Sequence, residues 1–264
     1  MNCFPQLVTG TVAQYPLSRS SVRRTVATTF LDGSRLKMAD DAASAVEWSL
    51  QFDGLSPDEW HTLESFFLSA EGQLKTFVFL DPLANLLMWS TDLTQSVWSR
   101  DPGLTITANQ PDPMGGSLAF RAVNNAQVPQ SLMQVVGVPG SYHYCSSLYA
   151  CSSSLETLKL VQTSGSQTQA ASFELGSLWQ RYSLPVQLTA SDETVAFGFV
   201  LDPGATVLVF GPQAEAQPQS GAYRATFEQG GVYPNTRFAV DALDLLCPDP
   251  DQYSCTVRLR SAGV

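Results

Sequence analysis

Alternating apolar and polar residues predict two strands near the start of the chain. Residues 22–30 are rich in β-branched side chains and roughly alternate, and an Asp-Gly-Ser turn follows at residues 32–34. Residues 44–52 alternate cleanly, with a large apolar side chain at every second position from Val46. Because successive side chains of a strand point to opposite faces, the second pattern predicts a half-buried strand. The Asp-Gly step is typical of a hairpin turn.

The period then changes to that of a helix. Ser56 and Glu59 have the spacing of a capping box, and Pro57 stands at the first helical position. The apolar positions that follow at helical spacing are Trp60, Leu63, Phe66 and Phe67. Because Gly72 ends this pattern, we predict a helix at about residues 57–70 whose apolar face packs on a sheet.

No helical period survives between residues 86 and 222. Short strand-like runs alternate there with clusters of Gly, Pro, Ser and Asn. The predicted strands are residues 104–108, 117–123, 130–136, 141–150, 155–162, 170–175, 179–188, 194–200 and 205–212. Strands at this spacing, separated by turn residues, predict a β-sandwich or jelly roll.

The pattern of apolar and polar residues in the C-terminal segment resembles that of the N-terminal segment. A predicted strand at residues 74–80 closes the first segment, and an apolar run followed by a strand at 253–260 forms a closing hairpin. We therefore predict a mainly β protein with a discontinuous β-rich domain, residues 1–85 and 223–264, that carries the helix. The sandwich, residues 86–222, is inserted into this domain. Such an insertion requires the two ends of the inserted segment to lie close together.

The charge balance narrows the expected partners. Lys and Arg number 14 against 24 Asp and Glu, a formal net charge of −10. Binding to nucleic acid or to an anionic membrane surface needs clustered cations, so neither is an expected partner. No segment reaches the roughly 18 apolar residues that span a bilayer, and no secretion signal is recognisable. A disordered chain is excluded, because 44% of the residues are hydrophobic and only 14% are charged.

The five cysteines do not suggest a disulfide framework. Cys145 and Cys151 lie in one predicted strand, about 20 Å apart when extended, which is too far for a bond. Cys247 and Cys255 flank a Pro-Asp-Pro-Asp turn. They either face each other across a hairpin as a disulfide or remain two free thiols.

Residues suited to catalysis or metal binding are sparse. The two histidines, His61 and His143, are far apart and belong to no zinc-binding motif. Nucleophile-elbow and phosphate-loop motifs are absent. The paired carboxylates are adjacent in sequence, unlike a glycosidase pair that spans a cleft. We expect no enzyme, no catalytic or metal site and no cofactor; Asp249 and Asp251 leave only a structural Ca²⁺ open.

Sugar binding combines an aromatic platform with polar groups beside it. On the predicted strand 141–150, His143 and Tyr149 share one face with Cys145 and Ser147, and this face is polar enough for a ligand. The other aromatic candidates are Trp98, Tyr142 and Trp179; Trp179 better suits the core, and Tyr142 shares the opposite face with Tyr144. We therefore predict Trp98, His143 and Tyr149 as carbohydrate-binding residues.

The motifs of the two outer segments resemble a family of small phage tail and baseplate proteins of the distal-tail type. They are Gln14–Leu17, the Asp32-Gly33 turn, the strand that ends at Phe52, the run from Leu55 to Pro82, Thr236–Asp241 and Tyr253–Leu259. Their order along the chain is more specific than any one of them. The resemblance implies a virion structural protein that assembles in symmetric rings of copies.

The middle segment resembles a carbohydrate-binding-module-like sandwich that recurs in phage tail proteins. The motifs are Asn85–Ser90 with Trp98 downstream, Tyr142–Ala150, Trp179–Ser183 and Phe210–Glu215. Pro212 stands where that family has Ala. The resemblance implies a module that contacts host glycans.

These observations lead to a hypothesis of function. The chain is expected to be a non-enzymatic structural component of a phage or prophage tail tip or baseplate, made in the host cytoplasm and located in the virion. Its expected partners are other tail proteins, copies of itself and host cell-surface polysaccharide. Two alternatives stay open: a stand-alone lectin-like protein, and a polysaccharide depolymerase with two carboxylates about 5 to 9.5 Å apart.

Overall fold

A computed structural model describes residues 2–262, except the side chains of Asp41 and Ala42. Residues 2–262 are mainly β with one helix, and they divide into two compact units. The sandwich unit comprises residues 9–12 and 80–232. The split unit comprises residues 2–8, 13–79 and 233 onwards. The predicted fold class, a discontinuous β-rich domain with one helix and an inserted sandwich, is confirmed.

The secondary-structure elements follow one another along the chain with few long gaps. They are β1 (Leu17–Thr29), β2 (Arg35–Leu55), α1 (Pro57–Ser69), β3 (Phe77–Leu80), β4 (Ser99–Arg100), β5 (Leu104–Gln110), β6 (Ala119–Asn124), β7 (Gln130–Val136), β8 (His143–Cys151), β9 (Glu156–Ser164), β10 (Gln167–Leu175), β11 (Gln180–Gln187), β12 (Val195–Leu201), β13 (Thr206–Glu215), β14 (Val232–Phe238), β15 (Leu245–Asp249) and β16 (Gln252–Ala262).

The split unit is one sheet with the helix packed on it. Its strand order is β1-β2-β16-β14-β3, with β15 paired to β16. The predicted capping box is present, because Ser56 and Glu59 each accept a hydrogen bond from the other's backbone N–H. The helix buries Trp60 and Leu63 against the sheet. Trp48 on β2 is fully buried among other aromatic rings of this core.

β1 and β2 continue beyond this core as a two-stranded arm, residues 24–40. The paired residues run from Arg24 and Asp40 at its base to Thr29 and Arg35 near its tip. β1 is an edge strand, and β2 pairs with β16 only outside the arm. Within residues 2–262, both outer edges of the arm therefore lack a neighbouring strand. Every arm residue except Asp40 is exposed.

The sandwich unit contains two five-stranded antiparallel sheets, ordered β10-β9-β12-β7-β4 and β11-β8-β13-β6-β5. Apolar side chains fill the space between them, and the Tyr144 ring packs on Phe197 at 5.4 Å. Buried Gln162 on β9 links the sheets by donating to Ser146 Oγ at 3.0 Å and to the Leu184 carbonyl at 2.7 Å. All nine predicted strands of this region are present, and the two-residue β4 is an additional one.

The chain leads into and out of the sandwich side by side. The Asp81 N–H donates to the Gly231 carbonyl at 2.8 Å, and the Gly231 N–H donates to the Asn85 carbonyl at 2.7 Å. The Asn85 side chain is fully buried; its Oδ1 accepts from the N–H groups of Leu87 and Ala214, each at 3.0 Å. These bonds provide the closeness that an inserted segment requires.

Cys145, Cys151, Cys247 and Cys255 are thiols that form no disulfide. Cys145 and Cys151 lie on the single strand β8, as predicted. The disulfide left open between Cys247 and Cys255 does not form, because the β15–β16 register places Leu245 opposite Cys255. Cys247 is exposed, whereas Cys255 is buried.

Candidate functional site

The predicted sugar-binding face lies on the sheet that contains β8. Its alternation places His143, Cys145, Ser147 and Tyr149 on the side opposite the buried core residue Tyr144. The neighbouring strand β11 sets Arg181 directly opposite Tyr149 and Gln187 directly opposite His143. These pairs bring polar groups to both ends of the face.

The centre of the candidate site is formed by Tyr149 and Arg181. The guanidinium carbon of Arg181 lies 5.4 Å from the centre of the Tyr149 ring, a cation–π distance. Arg181 Nη2 donates to Ser147 Oγ at 2.9 Å. Arg181 Nε is buried and has no hydrogen-bond partner among the described residues. The site therefore combines an aromatic ring with a positioned, planar cationic donor.

A row of aromatic rings continues from Tyr149. The Phe210 ring lies 6.0 Å from the Tyr149 ring and 5.1 Å from the Tyr223 ring. Tyr149 and Tyr223 are partly exposed, whereas Phe210 is buried. Tyr223 is held in place by a 3.0 Å hydrogen bond between its hydroxyl and Ser90 Oγ. This row was not predicted, because it depends on the segment after β13 folding back beside the strand.

Cys145 and Ser147 are not available to a ligand, although they occupy the predicted face. Each has only 1–2% of its surface exposed. Burial, together with the nearby Glu215 carboxylate, raises the pKa of the Cys145 thiol to about 12, although Arg181 acts to lower it. The thiol is therefore neutral at physiological pH and is not a nucleophile.

His143 lies at the far end of the same strand. Its Nε2 is 2.5 Å from Gln187 Oε1, and its ring packs against the backbone of Gly10. A Cβ at Gly10 would lie 2.6 Å from the His143 ring, so the glycine permits this close approach. His143 and Tyr149 are six residues apart on one strand, about 20 Å. The two predicted residues therefore share a face but do not form one compact site.

Trp98 lies inside the sandwich unit. Only 5% of its surface is exposed, and its indole Nε1 donates to the Trp89 carbonyl at 3.1 Å. It lines a small interior cavity with Ser146 and Leu148, on the side of β8 opposite the candidate face. The structure thus places Tyr149 and His143 on the predicted face and Trp98 beneath it.

The outer face of the other sheet offers a different surface. Leu158, Leu160, Phe197 and Phe199 are buried, so the alternate positions of β9 and β12 point outwards. The outward residues of β9, β12, β7 and β10 are Thr157, Lys159, Val161, Thr163, Ala196, Gly198, Val200, Ser131, Met133, Val135, Thr168, Ala170, Ser172 and Glu174. None of these is aromatic, so this face offers no ring on which a sugar could stack.

The chemistry open to the candidate site is recognition through hydrogen bonds and ring contacts. Across residues 2–262, no three His, Cys, Asp or Glu side chains are grouped so that they could hold a metal ion. No helix within the same residues has the length and apolar character needed to span a bilayer. The partly exposed residues of the site are Tyr149 and Arg181.

No family model matches the chain, and no curated protein matches it. Among solved structures, the chain is similar to the enzymatically active domain of tailspike protein 4 of bacteriophage CBA120, with 12% sequence identity and a TM-score of 0.40. That match covers 52% of this chain and 22% of the tailspike chain.

Two carbohydrate-binding modules are similar to the chain to the same degree. The CBM22-1 xylan-binding domain of Xyn10C from Paenibacillus barcinonensis has 13% identity and a TM-score of 0.41, covering 52% of this chain and 96% of the module. The family 11 module from Clostridium thermocellum, solved with a mixed-linked tetrasaccharide, has 9% identity and a TM-score of 0.37, covering 52% and 98%.

Proposed function

We propose that the chain is a non-enzymatic structural component of a phage or prophage tail tip or baseplate that assembles with copies of itself and with other tail proteins. The observation that carries this proposal is the arm. A two-stranded ribbon with both edges unpaired gains little stability by itself, and exposed strand edges are surfaces for pairing with another chain. An arm of this kind is expected of a protein that works in contact with neighbours. The motifs of the two outer segments, which resemble small tail proteins, support the same assignment.

The sandwich unit is proposed to bind a host-surface glycan through Tyr149 and Arg181. An aromatic ring next to a planar donor suits a sugar, because the ring can face its C–H groups while the guanidinium bonds its hydroxyl or carboxylate oxygens. A stand-alone lectin is the second candidate function, and the same two residues favour it. The two candidates differ in whether the split unit assembles.

Light scattering over a range of concentrations tests the structural role. We expect the full chain to form an oligomer of defined size, because the arm is exposed along its length. A chain that stays monomeric at every concentration and still binds glycan would support the lectin instead.

A glycan array with bacterial surface polysaccharides tests the binding site. We expect the Arg181→Ala variant to bind at least tenfold more weakly than the wild type, a difference of about 1.4 kcal/mol. The matched control is Arg121→Ala, which removes an exposed arginine from β6 in the same sheet. Equal losses in the two variants would argue against the Tyr149–Arg181 site. Release of reducing ends from a bound polysaccharide would overturn the non-enzymatic assignment.

A further inference from the structure

The arm has two chemically different faces. Val26 lies directly opposite Met38, and Thr28 lies directly opposite Leu36, so these residues share an apolar face. Ala27 lies opposite Lys37 and Thr29 opposite Arg35, which makes the other face cationic. All of these side chains are exposed.

The tip of the arm adds two large apolar side chains. Phe30 is half exposed, and Leu31 is completely exposed. The turn that presents them is fixed, because Asp32 Oδ1 accepts from the N–H of Ser34 at 2.9 Å and from its hydroxyl at 2.7 Å. The apolar groups are therefore held out in solvent by a defined hairpin.

A groove elsewhere on the split unit has the opposite charge. We call it the acidic groove; its volume is about 600 Å³. Its lining includes Asp53, Asp244, Leu245, Leu246 and Arg258. Leu245 and Leu246 are 45% and 65% exposed. The lining thus combines two exposed leucines with two carboxylates and only one arginine.

The arm of one chain cannot reach its own acidic groove. Leu17 pairs with Leu50 next to the groove, whereas Thr29 pairs with Arg35 next to the tip. Twelve residues of β1 separate these two pairs, which is about 40 Å of extended strand. Since arm and groove are joined by this continuous hairpin, only another molecule can bring them together.

We propose that the arm tip of one copy docks in the acidic groove of a second copy, an inference that rests on the proposed structural function. Phe30 and Leu31 at the tip cover Leu245 and Leu246, and the cationic face of the arm is turned towards the groove. Lys37 and Arg35 approach Asp244 and Asp53. The contact removes apolar side chains of both copies from water and brings opposite charges together. Apolar burial and charge complementarity therefore both stabilise it.

A second groove on the split unit differs in charge, so the arm is expected to prefer the acidic groove. The second groove, of about 620 Å³, contains Arg237 and the Arg260–Glu47 ion pair, and it shares Arg258 with the acidic groove. Arg35 and Lys37, against Asp32 at the turn, leave the outer part of the arm with a net charge of +1, which disfavours the second groove and favours the acidic one. Because arm and groove are different surfaces, the contact is heterologous. Repeated contacts of this kind close into a ring or extend into a filament.

Two substitutions at exposed positions test the contact. Leu31→Asp disables the arm, and Leu246→Asp disables the groove; neither side chain is part of the core, so both variants should fold. We expect each variant alone to associate at least tenfold more weakly than the wild type in sedimentation velocity. Leu178→Asp changes a largely exposed leucine of the sandwich unit and should assemble like the wild type.

Mixing the two disabled variants gives the decisive result. The intact arm of one variant meets the intact groove of the other, while the reverse contact is blocked. An equimolar mixture should therefore form a dimer and stop there, although the wild type continues to larger assemblies. A mixture that stays monomeric, or a groove variant that assembles like the wild type, would overturn the docking and leave the structural function standing. A wild-type chain that never assembles would contradict both the docking and the proposed structural function.

A cross-link provides a second measurement. Cys247 is exposed and follows Leu246 directly. Under mild oxidation, Leu31→Cys should give a ladder of covalent oligomers, and adding Cys247→Ser should abolish it. An undiminished ladder in the double variant would contradict the proposed position of the tip.

Discussion

Replacement of Asn85 by alanine is expected to lower the free energy of unfolding of the sandwich unit by about 3–4 kcal/mol. The side chain is fully buried, and its Nδ2 donates to the Pro212 carbonyl at 2.9 Å. Its Oδ1 accepts from the N–H groups of Leu87 and Ala214. Alanine leaves these backbone groups buried and unpaired, and each such group costs about 1–3 kcal/mol.

Asn125→Ala is the matched control in the same unit. Asn125 is exposed, and its Nδ2 donates to the Thr105 hydroxyl at 2.9 Å. Its loss should change the stability by no more than about 0.5 kcal/mol. Urea unfolding combined with hydrogen exchange of peptides from residues 80–232 assigns the effect to the sandwich unit. A loss below about 1 kcal/mol for Asn85→Ala would show that water replaces the amide.

The Gly198→Ala variant should lose about 3 kcal/mol of stability, in the upper part of the range for overpacked sites. A Cβ at this position would lie 1.9 Å from the Leu132 carbonyl oxygen and 2.7 Å from Met133 Sδ. The thioether can rotate away, but the carbonyl belongs to the neighbouring strand β7. The sheet must therefore open locally to admit a methyl group.

Gly176→Ala is the control for backbone freedom. A Cβ at Gly176 would meet no atom within 4 Å. Alanine there should be neutral or stabilising by up to about 1 kcal/mol, because it restricts the unfolded chain. Thermal unfolding of the two variants side by side separates the steric effect from the entropic one. A similar loss in both would contradict the steric explanation.

Local patterns were sufficient to predict most of the secondary structure. The capping box at Ser56 and the helical spacing after it located α1, and short strand-like runs between clusters of Gly, Pro, Ser and Asn located the strands of the sandwich. β4 escaped prediction because Ser99 and Arg100 are too few to show a period. The exposure of the arm was not predicted either. Alternation shows that the two faces of a strand differ, but it does not show whether another element covers them.

The candidate site was predictable only in part, because its geometry depends on contacts between distant residues. Alternation placed His143 and Tyr149 on one face of β8. The position of Arg181 over Tyr149 follows from the pairing of β11 with β8, which no local pattern specifies. Trp98 had no strand register from which its burial could be inferred. The assignment of these residues to a ligand stays a prediction.

The two ends of the inserted sandwich lie side by side, which affects how such a protein could diversify. Because Gly231 hydrogen-bonds to both Asp81 and Asn85, the whole insert begins and ends at nearly one point. A different module with adjacent termini could be grafted at that point without lengthening the backbone of the host domain. Recognition and assembly can then evolve separately. Exchange of the sandwich unit changes what is recognised, while the surfaces of the split unit that make the assembly keep their sequence.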